Sequence, residues 1–361
     1  MNSLIKYGAT EHFYKEAVSY PDLTMAKVIS QYKGLYKITD GQREIPAEVS
    51  GRFRHETVFL AEFPVVGDFV MIDRHKDIEN SAAIIHRVLP RKSAFKRLSV
   101  GNNNQEQVIA ANIDIIFICV SLNNNYNLNR IERYLSAAWN SGAKPVVVLT
   151  KSDLCAGLPS ILCEVESVAV GTDVISTSSA DKNSHEKILA YLTEGVTASF
   201  IGSSGVGKST LINRLAGEGL CATDAVRHDD KGRHTTTRRD LILLPQGGIV
   251  IDTPGMREFG VESIDLSKTF SDVGELLAQC KFNNCTHTSE PGCAIQGAIA
   301  SGKLDKRRFE SYQKLKKEAA YDGLSSKQIE TMKLEAMFKG IGGMKKARDY
   351  IKQKNKHKSY G

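Results

Sequence analysis

Gly202-Ser203-Ser204-Gly205-Val206-Gly207-Lys208-Ser209-Thr210 sets glycines, one lysine and two hydroxyls at the spacing G-x4-G-K-S/T. In such a run the glycines let successive backbone N–H groups curl around phosphate oxygens at a helix N-terminus, while Lys208 neutralises β/γ charge and Ser209 reaches Mg2+. An apolar strand pattern, Ser199-Phe200-Ile201, precedes it, and a helical pattern from Lys208 to Leu215 follows, the context a phosphate loop requires. Further along, Asp252-Thr253-Pro254-Gly255 stands directly after Ile249-Val250-Ile251. A carboxylate there can hold the magnesium shell through water, and the Gly255 N–H can sense a γ-phosphate. Between the two lies Gly232-Arg233-His234-Thr235-Thr236-Thr237, polar and turn-like, where one threonine hydroxyl can also reach Mg2+. Thr236 is favoured, although Thr235 and Thr237 satisfy the same chemistry.

A second cluster is built for a different ion. Cys280-x4-Cys285-x-His287-x5-Cys293 offers three thiols and one imidazole, the set expected for a closed tetrahedral Zn2+ site, and Pro291-Gly292 supplies the turn that brings the last ligand back. With all four positions filled by protein and no carboxylate base nearby, one zinc per chain would be structural, stapling a region too small to build its own core. The simpler alternative is three free cysteines beside a surface histidine.

Thr150-Lys151-Ser152-Asp153 follows the apolar run Val146-Val147-Val148-Leu149 and resembles the N-K-x-D element that selects guanine in GTPases. A carboxylate at Asp153 accepts paired hydrogen bonds from the guanine ring N–H and its exocyclic amine, which adenine lacks there. Threonine replaces the usual asparagine, removing an amide and keeping a hydroxyl. Ser178-Ser179-Ala180 comes next, placed for backbone contact to the guanine carbonyl. In ordinary GTPases the phosphate loop comes first and the base-reading element late. Here the order is reversed, the mark of a circular permutation, in which the same strands build the same site from different termini.

The elements that must position these groups are legible as patterns. From about Ala26 to Arg91, short runs rich in Val, Ile, Phe and Tyr are broken by Thr39-Asp40-Gly41, Ser50-Gly51 and Val66-Gly67-Asp68, which predicts a small all-β barrel. Arg91 to Gln107 is polar and aperiodic and reads as a linker or loop. From Ile113, apolar runs of strand length alternate with helical segments such as Leu128 to Ser141, which predicts a doubly wound parallel sheet. Beyond about Ser267 the patterns are helical and lysine-rich, Phe309 to Ala320 and Ser326 to Phe338 among them. The expected division is 1–103 for the barrel with its N-terminal extension and linker, 104–264 for the permuted nucleotide domain, and 265–361 for the metal-binding domain with a basic helical tail.

Composition bounds the rest. The 361 residues hold 41% hydrophobic and 25% charged residues, a globular balance, and no apolar run approaches a membrane span, so a cytoplasmic protein without membrane contact is expected. Seven cysteines, an odd number, argue against a disulfide framework. Net charge is +7, yet residues 301–361 carry 17 Lys/Arg against 7 Asp/Glu, so the basicity belongs to the C-terminal end and reads as a footprint for nucleic acid or an anionic membrane surface, with a solvated helix face as the plainer alternative.

Taken together, the chain resembles the small-ribosomal-subunit-dependent, circularly permuted GTPases of ribosome biogenesis. Pro64-Val65-Val66-Gly67-Asp68-Phe69-Val70, Ala111-Asn112-Ile113-Asp114, Thr150 to Asp153, Gly202 to Thr210, His234 to Thr237, Asp252 to Gly255 and Cys280 to Cys293 carry the resemblance. It implies an N-terminal OB-fold, contact with rRNA, GTP and GDP binding by a monomer, and hydrolysis stimulated by the small subunit during its late maturation. Met256 stands where many GTPases carry a water-orienting glutamine, so intrinsic hydrolysis should be slow, and by resemblance His234 positions the water. A solvated loop histidine is the plainer reading of that residue. Two rivals remain: an RNA-binding assembly chaperone with a degenerate nucleotide site, and a P-loop ATPase or kinase.

Overall fold

Five strands close a barrel near the N-terminus: β1 (Thr24–Gln31), β2 (Tyr36–Thr39), β3 (Glu44–Val49), β4 (Phe69–Asp73) and β5 (Ala83–Val88). The structure, a computed structural model, describes residues 3–32, 34–73, 82–98, 106–123, 126–178, 180–181, 183–217, 239–252, 265–320, 326–338 and 346. β1 pairs with both β2 and β4, and β3 with β5, so the barrel shuts on itself. Period-2 alternation sends Ala26, Val28, Ile38, Ile45, Ala47, Val70, Ile72 and Ile85 into one core. The opposite face of β1 and β4 is buried too: α1 (Glu11–Ala17) lays Phe13 against Phe69, Met25, Met71 and Leu89. A short helix, α2 (Gly51–Glu56), capped by the Ser50 hydroxyl, adds Phe53 to the barrel core.

The stretch expected as a linker is partly sheet. β6 (Ala94–Leu98) and β7 (Glu106–Ala111) pair antiparallel, because Phe95, Val108 and Ile109 are buried although the residues between the strands are polar. The barrel docks on this hairpin through Gly67. At φ +93° it carries its backbone so close to the Ala111 carbonyl that a Cβ would lie 2.1 Å from that oxygen. Asn112, itself at φ 56°, donates from Nδ2 to the Gly67 carbonyl and accepts from the Lys92 N–H.

The nucleotide-type unit runs β8 (Ile115–Ser121), α3 (Leu128–Ser141), β9 (Lys144–Thr150), α4 (Leu158–Val168), β10 (Asp173–Ser176), α5 (Glu186–Leu189), β11 (Thr197–Ile201), α6 (Lys208–Ala216), β12 (Arg239–Leu243) and β13 (Ile249–Asp252). α3 begins at Asn127, whose side chain caps the Arg130 N–H, and stops at Gly142 in the left-handed region. Along β8, Ile116, Ile118 and Val120 pack toward the α3 and α4 side, and Ile115, Phe117 and Cys119 toward the α6 side, as a sheet covered on both faces requires. Strand order is β10-β9-β8-β11-β13-β12. The first five are parallel, but β12 is antiparallel to β13, not parallel as expected. The connection from Leu244 to Gly248 is a tight turn closed by two hydrogen bonds, too short for a crossover.

β12 also pairs with β1, so barrel and nucleotide-type sheet form one 11-stranded sheet. The C-terminal unit is helical: α7 (Ser271–Ala278), α8 (Ala294–Ala300), α9 (Lys306–Ala319) and α10 (Ser326–Phe338). A small core of Leu266, Phe270, Val273, Cys293, Ile295, Phe309 and Leu315 holds its first three helices together. No helix among the described residues is long and apolar enough to cross a membrane.

Candidate functional site

Strand order reverses direction between β8 and β11, and in open α/β sheets the ligand crevice lies at the carboxyl ends of strands flanking such a point. The glycine-rich loop leaves β11 there and opens α6. Gly202, Gly205 and Gly207 have φ of 143°, 74° and 101°, a backbone path that side chains oppose. At Gly202 a Cβ would stand 2.3 Å from the Cys119 carbonyl of β8, so the first glycine lets the loop turn tightly over the sheet. Lys208 folds back across the loop, donating from Nζ to the carbonyls of Gly202 and Ser203, both at 2.7 Å. Val206 is buried against the α6 side of the sheet, whereas Ser204 and Gly205 are exposed at the rim. Ser209 is half-buried and Thr210 exposed on the first turn of α6.

The loop after β9 meets the glycine-rich loop directly. The buried Thr150 hydroxyl donates to the Val206 carbonyl at 2.6 Å, and Lys151, held at φ 56°, donates from Nζ to the Gly205 carbonyl at 2.9 Å. The hydroxyl that replaces an amide at Thr150 thus ties the two loops together. Ser152 donates its N–H to the Thr177 carbonyl, which sets the exposed Asp153 next to the loop after β10. Asp153 Oδ1 accepts from the Ser178 hydroxyl at 2.5 Å. Arg214 of α6 donates to the carbonyls of Ser178 and Asp181, so the same helix that carries Lys208 braces this third loop. Loops far apart in sequence, after β9, β10 and β11, therefore converge on one crevice with acceptor, hydroxyl and cation in place.

Asp252 ends β13 half-buried, opposite Asp240 in the register with β12. Ser209 and Asp252 supply the oxygen donors that a hard cation such as Mg2+ prefers, so both fit that ion. Ser179, His234, Thr235, Thr236, Thr237 and Gly255 lie outside the described residues.

Cys280, Cys285, His287 and Cys293 bring one ligand atom each to within 4.8 Å of one another. His287 Nδ1 lies 3.6 Å from the sulfurs of both Cys280 and Cys293. Tetrahedral Zn2+ with ordinary Zn–S and Zn–N bonds would set such atoms about 3.6 Å apart. The donor set and its spacing therefore fit zinc. Burial opposes ionisation of Cys280, but the N–H groups of Ala294 and Ile295 at the start of α8, with the neighbouring thiols, bring its pKa below the ordinary thiol value. Gln296 fixes the cluster from behind, donating its N–H to Cys293 Sγ and its side-chain amide to the His287 carbonyl.

One group was not visible in the sequence. Glu132 of α3, 0% exposed, accepts from Arg307 and from Arg308, the latter 3% exposed, both on α9. Arg308 also forms a two-point pair with Asp272 and donates to the Thr269 carbonyl. Arg133 adds a two-point pair with Glu318. Pairing across 175 residues has no spacing signature, and the only sequence clue is a glutamate beside Ile131 on a helix that must bury its apolar side.

A family model described as RsgA GTPase matches residues 88–262. A small ribosomal subunit biogenesis GTPase RsgA 2 of Lactiplantibacillus plantarum is 46% identical over 347 residues, covering 96% of this chain and 97% of the relative. One named RsgA 1, from Oceanobacillus iheyensis, is 42% identical, covering 86% and 90%. Among solved structures, YjeQ from Thermotoga maritima aligns at TM-score 0.60 and 26% identity over 81% of this chain and 97% of that one. YloQ, described as a circularly permuted GTPase, aligns at TM-score 0.59 and 24% identity over 81% and 93%, a likeness of fold.

Proposed function

The chain belongs to the RsgA GTPase family and is a GTP hydrolase, and from that premise we propose that it binds the small ribosomal subunit and its rRNA and assists late maturation, with hydrolysis accelerated by the subunit. The observation that carries the reading is the junction of Thr150 and Lys151 with the carbonyls of Val206 and Gly205, which joins a base-reading loop to a phosphate loop across a permuted chain order.

In this reading Gly202 through Thr210 surround the phosphates, Lys208 neutralises them, and Asp153 accepts from guanine while Ser178 and Ser179 flank its carbonyl. Asp153 already accepts from a hydroxyl, so its carboxylate is held as an acceptor at the mouth of the crevice. Mg2+ supplies charge neutralisation at the terminal phosphates, with Ser209, Thr236 and, through water, Asp252 as its protein oxygens. His234 would orient the attacking water. One zinc held by Cys280, Cys285, His287 and Cys293 would be structural. The organisation is 1–103, 104–264 and 265–361, in a cytoplasmic monomer.

The test is hydrolysis of GTP and of ATP with and without small subunits. GTP turnover that rises with subunits while ATP is spared supports the reading. Equal ATP turnover would point to a P-loop ATPase or kinase, and subunit binding without turnover of either nucleotide to an assembly chaperone.

A further inference from the structure

Arg130 stands on the first turn of α3, at the carboxyl end of β8, and its Nη1 lies 3.4 Å from the hydroxyl of Ser203 in the phosphate loop. Its neighbours on this face have carboxylates: Arg133 pairs with Glu318, Arg307 with Glu132, and Arg308 with Glu132 and Asp272. Among the described residues Arg130 forms no ion pair, and the one hydrogen bond of its side chain is a long one to a neutral hydroxyl. Ser203 is therefore approached by two cations, Lys208 through its carbonyl and Arg130 through its hydroxyl. Two positive side chains on one residue of a loop whose glycines free its N–H groups form an electrostatic site that only an anion completes.

We propose that Arg130 is a γ-phosphate ligand, an arginine supplied within the chain to the terminal phosphoryl group of the nucleoside triphosphate. The proposal rests on the guanine-nucleotide reading of the crevice. When water attacks the γ-phosphorus and the bond to the β–γ bridging oxygen breaks, the leaving diphosphate takes the electron pair and the proton of the water ends on inorganic phosphate. Negative charge grows on the transferred oxygens and on the bridge, where a guanidinium stabilises it. α3 is suited to present it. Glu132, two residues on, is clamped by Arg307 and Arg308, so the backbone under Arg130 is fixed and only the side chain has to turn.

Full-length Arg130→Gln and Arg130→Lys variants separate charge from packing, because glutamine keeps a donor for Ser203 without the charge. Equilibrium binding of GDP and of a non-hydrolysable GTP analogue, and single-turnover GTP hydrolysis with small subunits, would be measured on each. The expected result is GDP affinity within about 2-fold of wild type, with analogue affinity or the hydrolysis rate down at least about 10-fold for glutamine and less for lysine. Equal loss for GDP and analogue, or no change in any of the three, overturns the proposal. Failure of the wild-type chain to bind any guanine nucleotide would instead defeat the reading on which it rests, and is seen in the same titration.

Discussion

Lys27 is 0% exposed, its ammonium stands 4.3 Å over the Phe69 ring, and no hydrogen-bond acceptor among the described residues reaches it. Burial pushes its pKa down to about 7, Lys92 adds to the effect, and Asp114 and Asp68 act against it. The sign of the consequence follows from proton counting. Folded Lys27 gives up its proton near pH 7, while the unfolded chain keeps it to about 10.5, so between those values the unfolded state binds more protons. Stability should rise with pH across that window, by at most about 1.4 kcal/mol per pH unit from this one group. Urea unfolding of wild type and Lys27→Met from pH 7 to pH 10 checks it. The variant, whose thioether fits the ring contact without a charge, should lose that slope and gain stability at the low end. Parallel pH curves for the two proteins would show that Lys27 finds a partner that keeps it charged.

At the scale of elements, the joint between α3 and α9 is the buried arrangement whose failure would be felt farthest. Removing one member of a buried pair leaves the other charge uncompensated, at about 3–5 kcal/mol, whereas removing both is close to neutral. Glu132→Leu should therefore lower the thermal midpoint and expose the amides of α9 to hydrogen exchange, while β8 and β9 stay protected. Glu132→Leu combined with Arg308→Leu should recover most of the loss. Unchanged exchange in α9 for the single variant would mean that Asp272 alone holds Arg308. This joint also shows what sequence can and cannot carry. α3 and α10 run over the residues that the sequence predicts, and for α3 the Asn127 cap and the left-handed Gly142 are local start and stop signals. The glycine-rich loop, the loop after β9 and the Cys/His cluster are local spacings too, and the structure brings each set together. The β6–β7 pair escaped because the sequence between its strands is polar, and the burial of the strands themselves depends on the rest of the fold. Glu132 with Arg308, and Arg130 with Ser203, join residues distant in sequence, so only packing reveals them.

At the scale of the whole molecule, the single sheet changes how the nucleotide site can speak to its partners. β1 of the barrel bonds to β12 at Ser30 with Asp240 and Gln31 with Arg239, and the Ser30 hydroxyl also donates to Asp240 at 2.6 Å. Residues 218–238, which carry His234 and Thr236 in sequence, lead from α6 into that barrel-bonded strand. Residues 253–264, which carry Gly255, lead from Asp252 into the Cys/His unit and the basic end. Chain segments suited to sense the γ-phosphate are thus wired one to each candidate RNA-binding arm, and a ligand that discriminates between two arrangements of those segments must bias both arms. Small-subunit affinity should be at least about 5-fold higher with a non-hydrolysable GTP analogue than with GDP at one fixed salt concentration. The excess of lysine and arginine in 301–361 belongs to both nucleotide states, so the salt dependence of the two affinities should have the same slope and differ only in offset. Equal affinities would reject the coupling. A difference confined to the slope would place the nucleotide's effect in the number of phosphate contacts made by the basic end, and the β1–β12 joint would then carry none of it.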